Sequence, residues 1–154
     1  MKDVIVGGRR CQVFAVEAPE VLLVEPMDER DLDFLDRETA ALKAGARRPF
    51  ALWSAYRSDA FDGIAAASPS VWYPGWMDFV RTRTPKARRI YLSLGDKESR
   101  TRNATMATVE ERIRESADIL AGTEGLESTL EWNPGNHFVD ADRRTARAFL
   151  WTIQ

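Results

Sequence analysis

Apolar residues along the chain fall into short unbroken runs and longer periodic stretches, and the two kinds alternate. The runs "VLLVEP" (21–26), "GIAAAS" (63–68) and "RIYLSLG" (89–95) have the length of strands, and the more polar "ESTLEW" (127–132) reads as a strand as well. The longer stretches repeat their apolar positions every three or four residues and read as helices. In "DERDLDFLDRETAALKAG" (28–45), Leu32, Leu35 and Leu42 share a face, Asp28 can cap the start and Gly45 can stop the end. "FALWSAYRS" (50–58) is a second helical stretch, and "PGWMDFVRTR" (74–83) a third, with Pro74 near its start. "NATMATVEERIRESADILAG" (103–122) carries Asn103 as a cap and Gly122 as a stop, and "DADRRTARAFLWTI" (140–153) ends the series. At the other end, "DVIVGGRRCQVFAV" is two β-branched runs around a Gly-Gly turn and predicts an N-terminal β-hairpin.

Strands that alternate with helices need crossover connections, and crossovers build a mostly parallel sheet with helices on both faces. The expected class is therefore α/β, in one domain over residues 1–154, with no repeat or linker to divide it. The alternation fails at one place. Between 28 and 58 two helices follow one another, joined only by "ARRPF", where a regular β/α chain would insert a strand.

Composition narrows the partners. Hydrophobic residues make up 44% and charged residues 30%, as in ordinary globular chains, and no apolar run reaches the ~18 residues of a membrane span. The N-terminus lacks the length and cleavage site of a signal peptide. A net charge of −2, from 22 basic and 24 acidic residues, argues against nucleic acid as a partner. The basic stretch "RTRTPKARR" (81–89) reads first as a solvated loop and second as a site for an anion. One cysteine, Cys11, and one histidine, His137, leave no zinc-type metal cluster, and a lone cysteine suits the cytoplasm. "VIVGGRR" lacks the third glycine of a dinucleotide-binding turn, and no cofactor is expected. "NAT" (103–105) matches a glycosylation acceptor formally, in a chain with no other mark of secretion.

In parallel α/β sheets ligands bind beyond the carboxyl ends of the strands. Those ends lead here into "SPSVWYPGW", "DKESRTRN" and "NPGNHF". The three loops offer hydroxyls, tryptophans, carboxylates and the single imidazole. His137 follows a Pro-Gly turn at a strand end. Asp96 and Glu98 stand one and three residues after the strand-end Gly95, and either could accept the Nδ1 proton of His137 and fix its tautomer.

On these residues the chain resembles a known family. "FDGIAAASPSVWYPGW", "IYLSLGDKESRTRN" and "NPGNHFVDADRRTARAFLW" look like the C-terminal half of the α/β-hydrolase esterases, in the esterase D-like branch, and the N-terminal segments are similar to members of the same branch. The resemblance implies a hydrolase-like three-layer sandwich, a small-molecule carboxylic ester as substrate, His137 as base and Glu98 as acid, with Asp96 in reserve. It places Ser68, Ser70, Trp72 and Trp76 near the substrate; both tryptophans also suit a plain core role.

The family's nucleophile sits in G-x-S-x-G, a sharp strand-to-helix turn. No such motif occurs here, and "GARRPF" stands where it is expected, at the same place where the alternation fails. Ser54 and Ser58 lie past the turn; Ser68 and Ser70 lack its strained elbow and oxyanion-stabilising amides. Two expectations follow: an esterase-like hydrolase, or a catalytically inactive remnant that binds a ligand or partner. Loss of a central strand also predicts that the sheet either closes over the gap or pairs with a second copy through an exposed edge.

Overall fold

The computed structural model describes the backbone of residues 2–6, 9–16, 20–24, 50–57, 59 and 61–153, and the side chains of 51–57, 59 and 61–153. The helix expected over 28–45, the junction 45–49, Ser58 and the side chain of Cys11 lie outside the described residues.

Strands β1 (Lys2–Val6), β2 (Arg9–Val16) and β3 (Glu20–Val24) form one antiparallel ladder. Strands β4 (Gly63–Ala67), β5 (Arg89–Gly95) and β6 (Glu127–Asn133) form a second, wholly parallel sheet in the order β4-β5-β6. β3 comes alongside β4, so the two sheets meet there. The helices are α1 (Phe50–Arg57), α2 (Trp76–Arg81), α3 (Ala104–Ala107), α4 (Val109–Ala121) and α5 (Ala141–Thr152). An α/β class is what these elements make.

Side-chain alternation along the strands decides which helix lies on which face. Ile64 and Ala66 of β4, with Ile90, Leu92 and Leu94 of β5, point into the larger core with Leu52 of α1, Met77 of α2 and Ile113 of α4. The intervening Ala65 and Tyr91 point to the opposite face, where Ala148 of α5 covers them and Phe149 and Trp151 pack at the side. β4 and β5 are thus apolar on both faces, which is why they read as continuous apolar runs.

α4 buries Val109, Ile113, Ser116 and Leu120, a stripe at spacings of four, three and four. The single helix expected over 103–122 is instead two. Asn103 does cap the first, its Oδ1 accepting from the amides of Thr105 and Met106 at 3.0 and 3.2 Å. At Thr108 the helix breaks, and the hydroxyl there donates back to the Thr105 carbonyl at 2.7 Å. Such local bonds give the backbone an alternative to the helical ladder.

Candidate functional site

Register brings the carboxyl ends of the parallel strands to one rim. Ala67 pairs with Ser93, and Gly95 pairs with Asn133, so the loops after β5 and β6 start opposite each other. The Ser68 amide donates to the Ser93 carbonyl at 2.8 Å, which keeps the start of the β4 loop on the same rim.

Two glycines let the β5 and β6 loops approach. A Cβ on Gly95 would lie 2.5 Å from the Gly135 carbonyl oxygen and 2.9 Å from Glu98 Oε1. Without that Cβ, the Glu98 carboxylate folds over its own strand end and accepts the Gly95 amide at 2.7 Å. Gly135 has φ +96, a conformation that L side chains rarely adopt, and turns the β6 loop back so that its carbonyl accepts from the Lys97 amide at 3.0 Å.

Glu98 is the centre of the resulting cluster. Its side chain is 7% exposed. Oε1 accepts from Ser68 Oγ at 2.7 Å, from the Gly95 amide, and from Arg144 Nη2 at 3.1 Å. Oε2 faces His137 Nδ1 at 3.1 Å. Burial alone would push this carboxyl up, but the hydrogen bonds from His137, Ser68, Gly95 and Arg144 outweigh it and hold the group down at about 2. The carboxylate is therefore ionised at neutral pH and can only accept. The imidazole nitrogen that faces it must carry the proton, which leaves Nε2 of neutral His137 with its lone pair. The ring is 34% exposed, with the Phe138 ring edge-on at 5.2 Å.

The remaining expected site residues divide. Asp96 is exposed, and its Oδ1 accepts the Gly135 amide at 2.8 Å while its own amide donates to the Asn133 carbonyl at 2.9 Å. It ties the two loops together; the carboxylate that meets His137 is Glu98. Ser68 joins the cluster, 6% exposed and with φ 54. Ser70 shapes the turn that follows, its carbonyl accepting the Tyr73 amide at 3.0 Å. Trp76 is 4% exposed and packs in the main core against Phe79, stacked at 5.6 Å, and against Tyr56, edge-on at 6.1 Å. Trp72 is half-buried and packs against the same core. Of the other serines weighed as nucleophiles, Ser54 is fully buried, with its hydroxyl on the Ala51 carbonyl at 2.7 Å.

Sequence reasoning missed Arg144. Its side chain is 3% exposed, and besides Glu98 it donates from Nη2 to Ser68 Oγ at 2.5 Å and from Nη1 to the Asn136 carbonyl at 3.3 Å. One signal was available: "DADRRTARAFLW" puts Arg144 four residues before Ala148, on the buried stripe of a helix that needs no cation there.

Elsewhere, the basic stretch 81–89 is drawn into surface ion pairs, Arg81 with Glu115, Arg88 with Asp62 and Arg89 with Glu127. A cleft of about 340 Å³ between α4 and β6, lined by Arg114, Asp118 and Leu130 among others, shares no residue with the cluster. Among the described residues no group of histidine, cysteine and carboxylate side chains could hold a metal ion, and no helix is long and apolar enough to cross a membrane. Compared with family models, curated proteins and solved structures, the chain matches none.

Proposed function

We propose that the chain is an esterase-like protein of the α/β-hydrolase class, of the esterase D-like kind, whose described residues carry the base-and-acid half of a hydrolytic site for carboxylic esters. In this reading the parallel sheet and its flanking helices are part of a hydrolase-like sandwich completed by the N-terminal hairpin, and the substrate is a small molecule in the cytoplasm. The observation that carries it is the His137 Nδ1–Glu98 Oε2 contact at 3.1 Å, with the carboxylate held ionised. His137 Nε2 would take a proton from an attacking hydroxyl as the tetrahedral intermediate forms, and return it to the leaving alkoxide. Glu98 would stabilise the imidazolium without itself taking up the proton. Asp96 stands outside that relay, and Ser70 and Trp72 line the loop through which substrate would approach.

A second reading, the inactive remnant, is favoured by one specific observation. The Ser68 hydroxyl, the serine oxygen of the cluster, donates to Glu98 and accepts from Arg144. A hydroxyl with its proton on the acid is not primed for transfer to His137.

Chromogenic short-chain esters and a fluorophosphonate label separate the two. Turnover in the purified chain that His137→Ala lowers by about 10³-fold or more, as removal of a general base does, supports the hydrolase. No turnover and no label retire hydrolysis and leave the remnant.

A further inference from the structure

Glu98 treats its two oxygens unequally. Oε1 has three donors from three different segments: the Ser68 hydroxyl after β4, the Gly95 amide at the end of β5, and Arg144 Nη2 on α5. Oε2 has His137. The terminal torsion of a glutamate is broad and nearly two-fold, so an unrestrained carboxylate at the end of a strand would present either oxygen over a range of angles. Three donors on one oxygen remove that freedom and aim the other.

Arg144 holds more than the acid. Its Nη1 donates to the carbonyl of Asn136, the residue before His137. The same planar guanidinium therefore grips the carboxylate and the loop that carries the imidazole, a fork that a lysine ammonium cannot reproduce. Asn136 in turn fixes the loop beyond, with its Oδ1 on the Phe138 amide at 3.0 Å and its carbonyl on the Val139 amide at 3.2 Å.

Burying an arginine and a glutamate carries a desolvation cost that their attraction must return, and apolar packing is often as stable. Ser68 adds a second cost. A non-glycine residue at φ 54 is strained, more so before a proline, and such strain persists only where the surroundings enforce it. Here that conformation puts Oγ between Arg144 Nη2 and Glu98 Oε1, at 2.5 and 2.7 Å.

We infer that Arg144 and Ser68 are positioning residues, a clamp that locks Glu98 Oε1 so that Oε2 fixes the Nδ1–H tautomer of His137. The inference assigns Ser68 to the acid's support and not to the substrate or the attacking atom. It extends the proposed use of His137 as a base but is measured without any substrate.

His137 is the only histidine, so its ring nitrogens give one unambiguous set of signals in nitrogen-15 NMR. The test is done on the full chain at a pH where the imidazole is neutral. The parent protein shows the Nδ1–H form as the dominant tautomer. In Arg144→Met the ratio of Nδ1–H to Nε2–H forms falls about tenfold, the worth of one hydrogen bond to a charged acceptor. Arg144→Lys, which keeps the charge and loses the fork, falls short of restoring it. Ser68→Ala shifts the ratio the same way by a smaller factor and serves alone if Arg144→Met does not fold. A folded Arg144→Met or, in its absence, a folded Ser68→Ala with the parent's tautomer ratio would overturn the inference and leave the pair a structural ion pair. Absence of esterase turnover would retire the proposed function and leave this readout untouched.

Discussion

Replacing Glu98 with glutamine isolates the electrostatics of the cluster. The Glu98 carboxyl is lowered from 4.5 to about 2, with burial opposing the shift and the hydrogen bonds from His137, Ser68, Gly95 and Arg144 outweighing it. At ~1.4 kcal/mol for each pH unit the displacement is worth about 3 kcal/mol, and screening of a carboxylate not wholly sealed from solvent reduces it to about 2 kcal/mol. The sign follows from which state binds the proton first. Above pH 4.5 both folded and unfolded chains hold the carboxylate ionised, and the contribution is whole. Between 4.5 and about 2 the unfolded chain takes up the proton and the folded chain does not, so stability drains away as pH falls; below about 2 it is gone.

Urea unfolding of parent and Glu98→Gln, followed by tryptophan fluorescence at pH 7, 5, 4 and 3, reads this directly. At pH 7 the variant is less stable by about 3 kcal/mol, because the Arg144 guanidinium is left buried without its counter-charge. From pH 5 to pH 3 the gap narrows by about 1 kcal/mol, as the parent loses more than half of the ionic contribution and the variant has none to lose. Contributions common to both proteins cancel in the difference. A gap that stays constant over that range would refute the argument, since it would mean that Glu98 is not held ionised by its partners.

Three further substitutions test the packing around the cluster. Gly95→Ala places a Cβ 2.5 Å from the Gly135 carbonyl oxygen, a backbone atom that cannot yield without moving the loop, so a loss of about 1–3 kcal/mol in urea unfolding is expected together with a fall in the Nδ1–H tautomer of His137. Gly135→Ala demands a side chain at φ +96 and a Cβ 2.8 Å from Val139 Cγ2, and a drop in thermal midpoint checks it; an unchanged midpoint would mean that the turn is free to adopt another conformation. Trp76→Ala empties a core site that is 4% exposed and costs about 3–5 kcal/mol in urea unfolding, whereas a value under about 1 kcal/mol would place the ring outside the core.

Most of the parallel half of the fold was legible because β4 and β5 are buried on both faces. "RIYLSLG" is continuous and apolar, and the strand runs from Arg89 to Gly95 as its pattern indicates. "ESTLEW" extends by one residue to Asn133, which is 3% exposed and whose polar side chain hides that burial from a reading of apolar runs. The break at Thr108 was not legible, because a threonine that bonds back to a carbonyl three residues earlier leaves the apolar spacing of Val109, Ile113 and Leu120 undisturbed. At the site, strand-end position found Glu98, His137 and Ser68, since a parallel register carries loop starts to one rim. It could not choose between Asp96 and Glu98, because that depends on how Gly95 lets the chain fold back. It missed Arg144: the stripe shared with Ala148 marks the position as buried, but the partner that Arg144 meets depends on α5 coming to the rim from the covered face of the sheet, a relation between layers.

α5 follows all three parallel strands along the chain, and this gives the cluster an order of assembly. Chains are made from the amino end and fold in that direction as they emerge. Glu98, Ser68 and Asn136 all leave the ribosome before the guanidinium that holds them. Until then the acid lacks its cation and the imidazole loop lacks its grip on the Asn136 carbonyl. Whatever chemistry the rim performs is therefore acquired only once residue 144 has emerged, and a nascent chain stalled short of it carries the acid and the base without the means to align them.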